Sequence, residues 1–160
     1  MTTSSNISGA TLIRRAKPDD APAIERLLIG ADLPTVGVAD ILHAHPGDFF
    51  VAETAVAPWQ IVAVAGLEIC CDSAVLRSVA VDPAWRSRGL GRELIRQIVC
   101  DAESRGIRAL YLLTMTAEHY FPRLGFEQIE RSSVPGEIAA TVEFKSACPA
   151  TAVAMKRALA

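Results

Sequence analysis

Apolar positions recur with two different periods along this 160-residue chain, and the changes of period mark out its elements. "TLIRRA" (Thr11 to Ala16) reads as a short strand. In "PDDAPAIERLLIGA" the apolar Ile24, Leu27 and Leu28 fall at helical spacing, and Asp19 stands where a cap is wanted. From Asp32 to Gly47 the punctuation by Pro34, Gly37 and Pro46 breaks any period, leaving room for one short helix from Ala39 to Ala44. "DFFVAET" and "QIVAVAGLEI" are two strand-like runs joined by "AVAPWQ", a hairpin or meander without a tight Asn-Gly turn. Ser73 to Pro83 suits a central strand ended by Asp82-Pro83. The period then returns to helical: Leu94, Ile95, Ile98, Val99 and Ala102 share a face, and Gly106 stops the run. "IRALYLLT" reads as a buried strand and "AEHYFPRLGF" as a short helix closing on Leu124-Gly125, with "FEQIER" and "TAVAMKRAL" as final strands.

Strands and helices in this order predict a mixed α/β fold with helices on both faces of a mainly antiparallel sheet. The length suits a single domain, residues 11–160, after a small polar stretch, 1–10, that reads as a loose tail without the basic and apolar regions of a secretory signal. With 51% hydrophobic and 21% charged residues, wholesale disorder is not expected. A formal charge of −2 provides no broad basic field for nucleic acid or an anionic membrane, and the longest apolar stretch, Ile61 to Leu67, is far too short to span a bilayer. The expectation is a soluble cytoplasmic protein with a small-molecule partner. Cys70, Cys71, Cys100 and Cys148 lack the spacing of a disulfide framework or paired metal motif, and read as free buried thiols. His43 and His45 form a His-x-His pair without a third ligand at plausible spacing, so no metal site is expected. The apolar alternation of "TAVAMKRAL" suggests an edge strand that a homodimer would cover.

"RSRGLGREL" carries the densest chemistry. The amides of Ser87, Arg88, Gly89, Leu90 and Gly91 fall at a strand-to-helix junction, where unpaired N–H groups and the helix dipole favour an anion. Gly89 and Gly91 let the backbone approach, and Arg86, Arg88 and Arg92 add charge suited to phosphate. A pyrophosphate is the natural guest. The Gly-Lys-Ser/Thr of a Walker loop is missing, and so is the third glycine of a dinucleotide fingerprint.

"RSRGLG" matches the Gln/Arg-x-x-Gly-x-Gly/Ala signature of the Gcn5-related N-acetyltransferase (GNAT) superfamily, "LRSVAVDP" resembles its fourth strand, and "YFPRLGF" resembles its late helix. The resemblance runs from about Thr11 to Arg157. "LLTMTAEHYFPRLGF" with Glu143, Phe144, Cys148, Pro149, Ala152 and Met155 is similar to the small acetyltransferases encoded with arsenic-resistance operons, and to the acetyltransferase domain of N-acetylglutamate synthases. What the resemblance implies is a sheet of six to seven strands flanked by about four helices, with acetyl-CoA as donor and a small amine, an amino acid or analogue, as acceptor. It also implies that Val79, Ala80 and Val81 pair with the pantetheine arm, that the Val79 N–H steadies the oxyanion, and that the Arg86–Gly91 loop holds the pyrophosphate, without a cysteine nucleophile.

Acid and base are less plainly written. Many members carry a tyrosine five residues before the phenylalanine of Gly-Phe; here that position is Phe121, and Tyr120 lies one residue earlier, turned by ~100° on a helix. Tyr120 or water is left to protonate the thiolate. Glu68, at the end of an apolar strand, leads as base, with His119 the alternative. Arg77, inside the apolar run "VLRSVAV", needs a partner, either a substrate carboxylate in a polar cleft or, with the arginine on the outer sheet face, a glutamate of the chain. Thr114 and Phe121 are placed to touch the coenzyme, and Thr114 and Thr116 also suit a turn. Two rivals stand beside a small-molecule acetyltransferase: a non-catalytic acyl-CoA sensor, and an enzyme acting on protein N-termini or lysines.

Overall fold

The computed structural model describes residues 5–7, 10–147 and 150–159. Its strands are Ser5–Ile7 (β1), Thr11–Arg15 (β2), Phe49–Thr54 (β3), Ile61–Cys70 (β4), Ser73–Val81 (β5), Ala109–Thr114 (β6), Glu127–Ile129 (β7) and Val153–Ala158 (β8). They form one sheet in the order β1-β2-β3-β4-β5-β6-β8-β7. The pairs β1·β2, β2·β3, β3·β4, β6·β8 and β7·β8 are antiparallel, whereas β5 and β6 run parallel. A parallel neighbour requires a crossover, and the helix Leu90–Ser104 (α3) supplies it. The mixed, mainly antiparallel sheet agrees with the sequence reading; it has eight strands rather than six to seven, because Ser5–Ile7, inside the stretch read as a tail, pairs with Thr11–Ile13.

Two compact units divide the chain: Met1–Gly66 with Ser78–Ile98, and Leu67–Arg77 with Val99–Ala160. In the first, helices Ala21–Gly30 (α1) and Val38–Ala44 (α2) bury Ile24, Leu28, Val38 and Leu42 against Phe49, Val51 and Val64. Gly66 is dictated by that packing, since a Cβ there would fall 2.4 Å from the Phe49 ring. The start of α1 corrects the capping expectation. Pro18–Asp20 forms a 3-10 turn, which moves the helix start past Asp19 and places Asp20 at the junction. The Asp20 carboxylate accepts from the Lys17 N–H at 2.7 Å and from Arg14 at 2.8 and 3.0 Å, while Arg14 Nε reaches Glu53 at 2.9 Å. Burial works against ionising Asp20, but the Arg14 and Lys17 bonds outweigh it and hold the carboxyl below its ordinary value.

In the second unit, every residue of β6 is buried, and Tyr111 and Leu113 pack with Val75, Ile138, Phe144 and Ala154. β8 lies between β6 and β7, pairing Leu112 with Met155 on one side and Gln128 with Met155 on the other. The edge-strand reading of "TAVAMKRAL" is thereby overturned: β8 pairs along its whole length with β6 and over Ala154 to Lys156 with the three-residue β7, which is the edge beside it. Residues without a predicted element form a helix Gly136–Ala139 (α4) and a π-type turn Glu143–Ala147.

The helical face of α3 is as read, with Leu94, Ile95, Ile98, Val99 and Ala102 all at most 6% exposed, and Gly106 follows with φ +78°. The alternation in β5 is not simple. Ser78 has φ +59°, a left-handed residue inside a strand, and Leu76, Arg77 and Ser78 are all buried. The cysteines depart from expectation too: Cys70 is half-buried and free, but Cys71, in the turn after β4, and Cys100, on the outer side of α3, are exposed. Cys148 and Pro149 lie outside the described residues.

Candidate active site

The anion loop belongs to the first unit. Asp82 accepts from the Ala84 N–H at 2.9 Å, which fixes the 3-10 turn Pro83–Trp85 directly after β5. The chain then alternates in handedness: Ser87 has φ +64° and Gly89 φ +80°, with Arg88 between them on the ordinary side. That alternation turns successive amides toward a common point, the arrangement that receives anions. The first helical bond runs from the Glu93 N–H to the Gly89 carbonyl at 3.0 Å, so the amides of Leu90, Gly91 and Arg92 have no partner within α3. Gly89 is required for its backbone conformation and not for space, because an added Cβ would meet nothing within 4 Å.

The loop's cations are partly positioned. Arg86 donates through Nε to the Val81 carbonyl at 3.3 Å, and the Arg88 guanidinium stacks 4.5 Å from the Trp85 ring centroid. Arg86, Ser87, Arg88, Gly89 and Arg92 are all exposed. Glu93, the nearby acid, is bound by Arg96, whose hydrogen bonds hold its carboxyl below the ordinary value despite some burial. Val79 and Val81 at the end of β5 are half-buried and Ala80 is buried.

In the second unit, Glu68 and Arg77 come together. Arg77 is 2% exposed; its Nη1 lies 3.6 Å from Glu68 Oε2 and its Nη2 lies 3.5 Å from Glu143 Oε2. Glu68 Oε2 is buried, while Oε1 accepts from the Val142 N–H at 3.4 Å. Arg77 therefore meets carboxylates of its own chain, and its burial corrects the expectation that such a pair would lie on the outer face of the sheet. Glu143 is the residue that reading the sequence for chemistry missed, because 66 or more positions separate it from Arg77 and Glu68 and no local pattern links them. Close by, burial together with Glu68, Cys71 and Glu137 pushes the Cys70 thiol up.

The late turn sits on the same unit. Thr114 Oγ1 accepts from the Ala117 N–H at 2.9 Å, the turn-forming role open to it. The expected helix is a single 3-10 turn, Phe121–Leu124, closed by Gly125 at φ +88°. Phe121 is buried edge-on to Phe126 with ring centroids 5.7 Å apart, whereas Tyr120, edge-on to Phe121, is 38% exposed. The His119 side chain is 96% exposed, beside Glu118 at 3.8 Å. Among the described residues no group of three or more His, Cys, Asp or Glu is arranged to hold a metal ion, and no helix is long and apolar enough to cross a membrane.

A family profile described as "Acetyltransferase (GNAT) domain" matches residues 45–128. The chain is 30% identical over 131 residues to an amino-acid acetyltransferase of Mycobacterium tuberculosis, covering 79% of this chain and 74% of that one. Among solved structures, N-acetylglutamate synthase from Neisseria gonorrhoeae, complexed with coenzyme A and N-acetyl-glutamate, superposes with a TM-score of 0.78 at 21% identity, over 94% of this chain and 35% of that one. A Mycobacterium tuberculosis protein in complex with CoA gives a TM-score of 0.77 at 24% identity, covering 92% and 99%. At these identities the two structures speak for the fold.

Proposed function

The chain belongs to the GNAT family of acetyltransferases, and from that premise we propose that it acetylates the amino group of a small molecule, an amino acid or amino-acid analogue, by direct attack within a ternary complex. As a family member it is an N-acetyltransferase with acetyl-CoA as co-substrate. The observation that carries the reading is the alternating-handed loop from Arg86 to Arg92, whose amides and cations suit the pyrophosphate of that co-substrate. An amino-acid acceptor is supported by similarity to the mycobacterial amino-acid acetyltransferase, and the resemblance to enzymes of arsenic-resistance operons adds amino-acid analogues to the class. A cytoplasmic location goes with this donor.

In the step itself the amine nitrogen bonds to the thioester carbonyl carbon, the carbon–sulfur bond breaks with its electron pair passing to sulfur, and the nitrogen gives up one proton. The Val79 N–H is assigned to the developing oxyanion, a donor role that such sites reward strongly. Glu68 takes the proton from nitrogen through Oε1, since Oε2 is buried and faces Arg77. The hydroxyl of Tyr120, a residue 38% exposed, is assigned to the departing sulfur, a role the buried Phe121 has no group to fill. His119 is left out, because a ring almost wholly in water gains nothing from the protein.

The test is thiol release from acetyl-CoA over a panel of amino acids, small amines and peptides, repeated with Glu68→Gln and Tyr120→Phe. The expected outcome is turnover with at least one amino acid and a loss on the order of 10²-fold in kcat for Glu68→Gln. Turnover confined to peptides would overturn the small-molecule reading, and full activity of Glu68→Gln would remove Glu68 from the mechanism.

A further inference from the structure

Thr141 to Phe144 are fastened more firmly than a surface turn requires. The Thr141 hydroxyl donates to the Ile138 carbonyl at 2.7 Å and faces the Phe144 N–H at 3.4 Å, and Arg131 Nη2 donates to the Phe144 carbonyl at 2.6 Å. Two groups of this anchored stretch then reach the strands: the Val142 N–H meets one oxygen of Glu68, and Glu143 meets the guanidinium that holds the other. Arg77 turns a different terminal nitrogen toward each carboxylate, so the planar fork has a negative charge at both ends, by charge contact and not, at Glu68, by a hydrogen bond.

The arrangement is a poor device for stability. Both ion pairs are 3.5 Å or longer, beyond good hydrogen-bond length, and the Arg77 side chain is fully buried. The desolvation of such charges commonly offsets their attraction, and an apolar replacement of similar volume is often neutral or better. Beside these charges the Glu68 side chain keeps 19% exposure although its Oε2 is buried.

We infer that Glu143 is a positioning residue for acetyl transfer: acting through Arg77, it holds Glu68 Oε2 inward and so keeps Oε1 as the oxygen offered to the acceptor's proton. The inference rests on Glu68 being the base. Glu143 touches neither substrate in this scheme and is not itself catalytic.

A double-mutant cycle tests it, with saturating acetyl-CoA and the best acceptor from the amino-acid panel. Glu143→Gln, close in shape, is expected to lower kcat on the order of tenfold with the acetyl-CoA KM unchanged, a fraction of what a positioned base contributes. Glu143→Asp restores most of the loss. In the pair with Glu68→Gln the second substitution adds nothing, because Glu143 acts only through Glu68. Multiplying losses, or a Glu143→Gln enzyme with wild-type kcat, would overturn the inference. A Glu68→Gln enzyme that is itself fully active would instead remove the reading beneath it, so the two failures are distinguishable. If Glu143→Gln does not fold by thermal melt, the cycle is run with Arg77→Lys, which keeps the charge and loses the fork; there too, multiplying losses overturn it.

Discussion

Gly89 shows how much a single backbone angle can decide. At φ +80° a residue with a Cβ is strained by ~1–2 kcal/mol, yet the space around it is open, so nothing need move to admit a methyl group. Gly89→Ala is therefore expected to cost about 1 kcal/mol in a urea melt and to raise the acetyl-CoA KM about tenfold by turning amides off the anion, with kcat at saturation nearly kept; a KM unmoved in steady-state kinetics would take the loop out of binding. This residue was legible, since glycines and arginines at a strand-to-helix junction have few other uses. Ser78 was not, because serine carries no signal for the positive φ it adopts within β5. Glu143 carried part of the family resemblance but no sign of its role, for another reason: its partners stand on strands far back along the chain, and spacing rules see only neighbours.

At the scale of elements, the helical and strand periods of α1, α3 and β6 were readable because each buries one face or all of itself, and burial is what apolar spacing records. The start of α1 was misplaced because Asp19 and Asp20 are chemically identical, and only the 3-10 turn decides between them. That junction has a measurable signature. A carboxyl held low in the folded state contributes stability above its unfolded value, and the contribution is lost as pH falls through the lower, folded value. The wild type should accordingly lose stability as the pH drops below about 4, while Asp20→Asn is weaker by about 1 kcal/mol at pH 7 and flatter in the acid range. Parallel urea midpoints for the two proteins across that range would show that the bridge to Arg14 contributes nothing.

For the molecule as a whole, the sheet order could not be read from the chain. The alternation of "TAVAMKRAL" is the same for an interior strand and an edge, and position in the sheet is settled by which partners arrive on either side. Coenzyme binding supplies the whole-molecule prediction. Acetyl-CoA at 100 times its dissociation constant adds ~2.7 kcal/mol to the folded state, a rise of roughly 5–10 °C in Tm for a chain of this length. The same excess should leave the Tm of an Arg86→Ala, Arg88→Ala double variant much less changed, and an equal rise in both proteins would place the coenzyme away from the loop. The place of β8 between β6 and β7 has a consequence for biosynthesis. β6 and β7 emerge from the ribosome before the strand that joins them, so a nascent chain halted short of Val153 carries two open hydrogen-bonding rims, and that interval is when this protein most needs a chaperone.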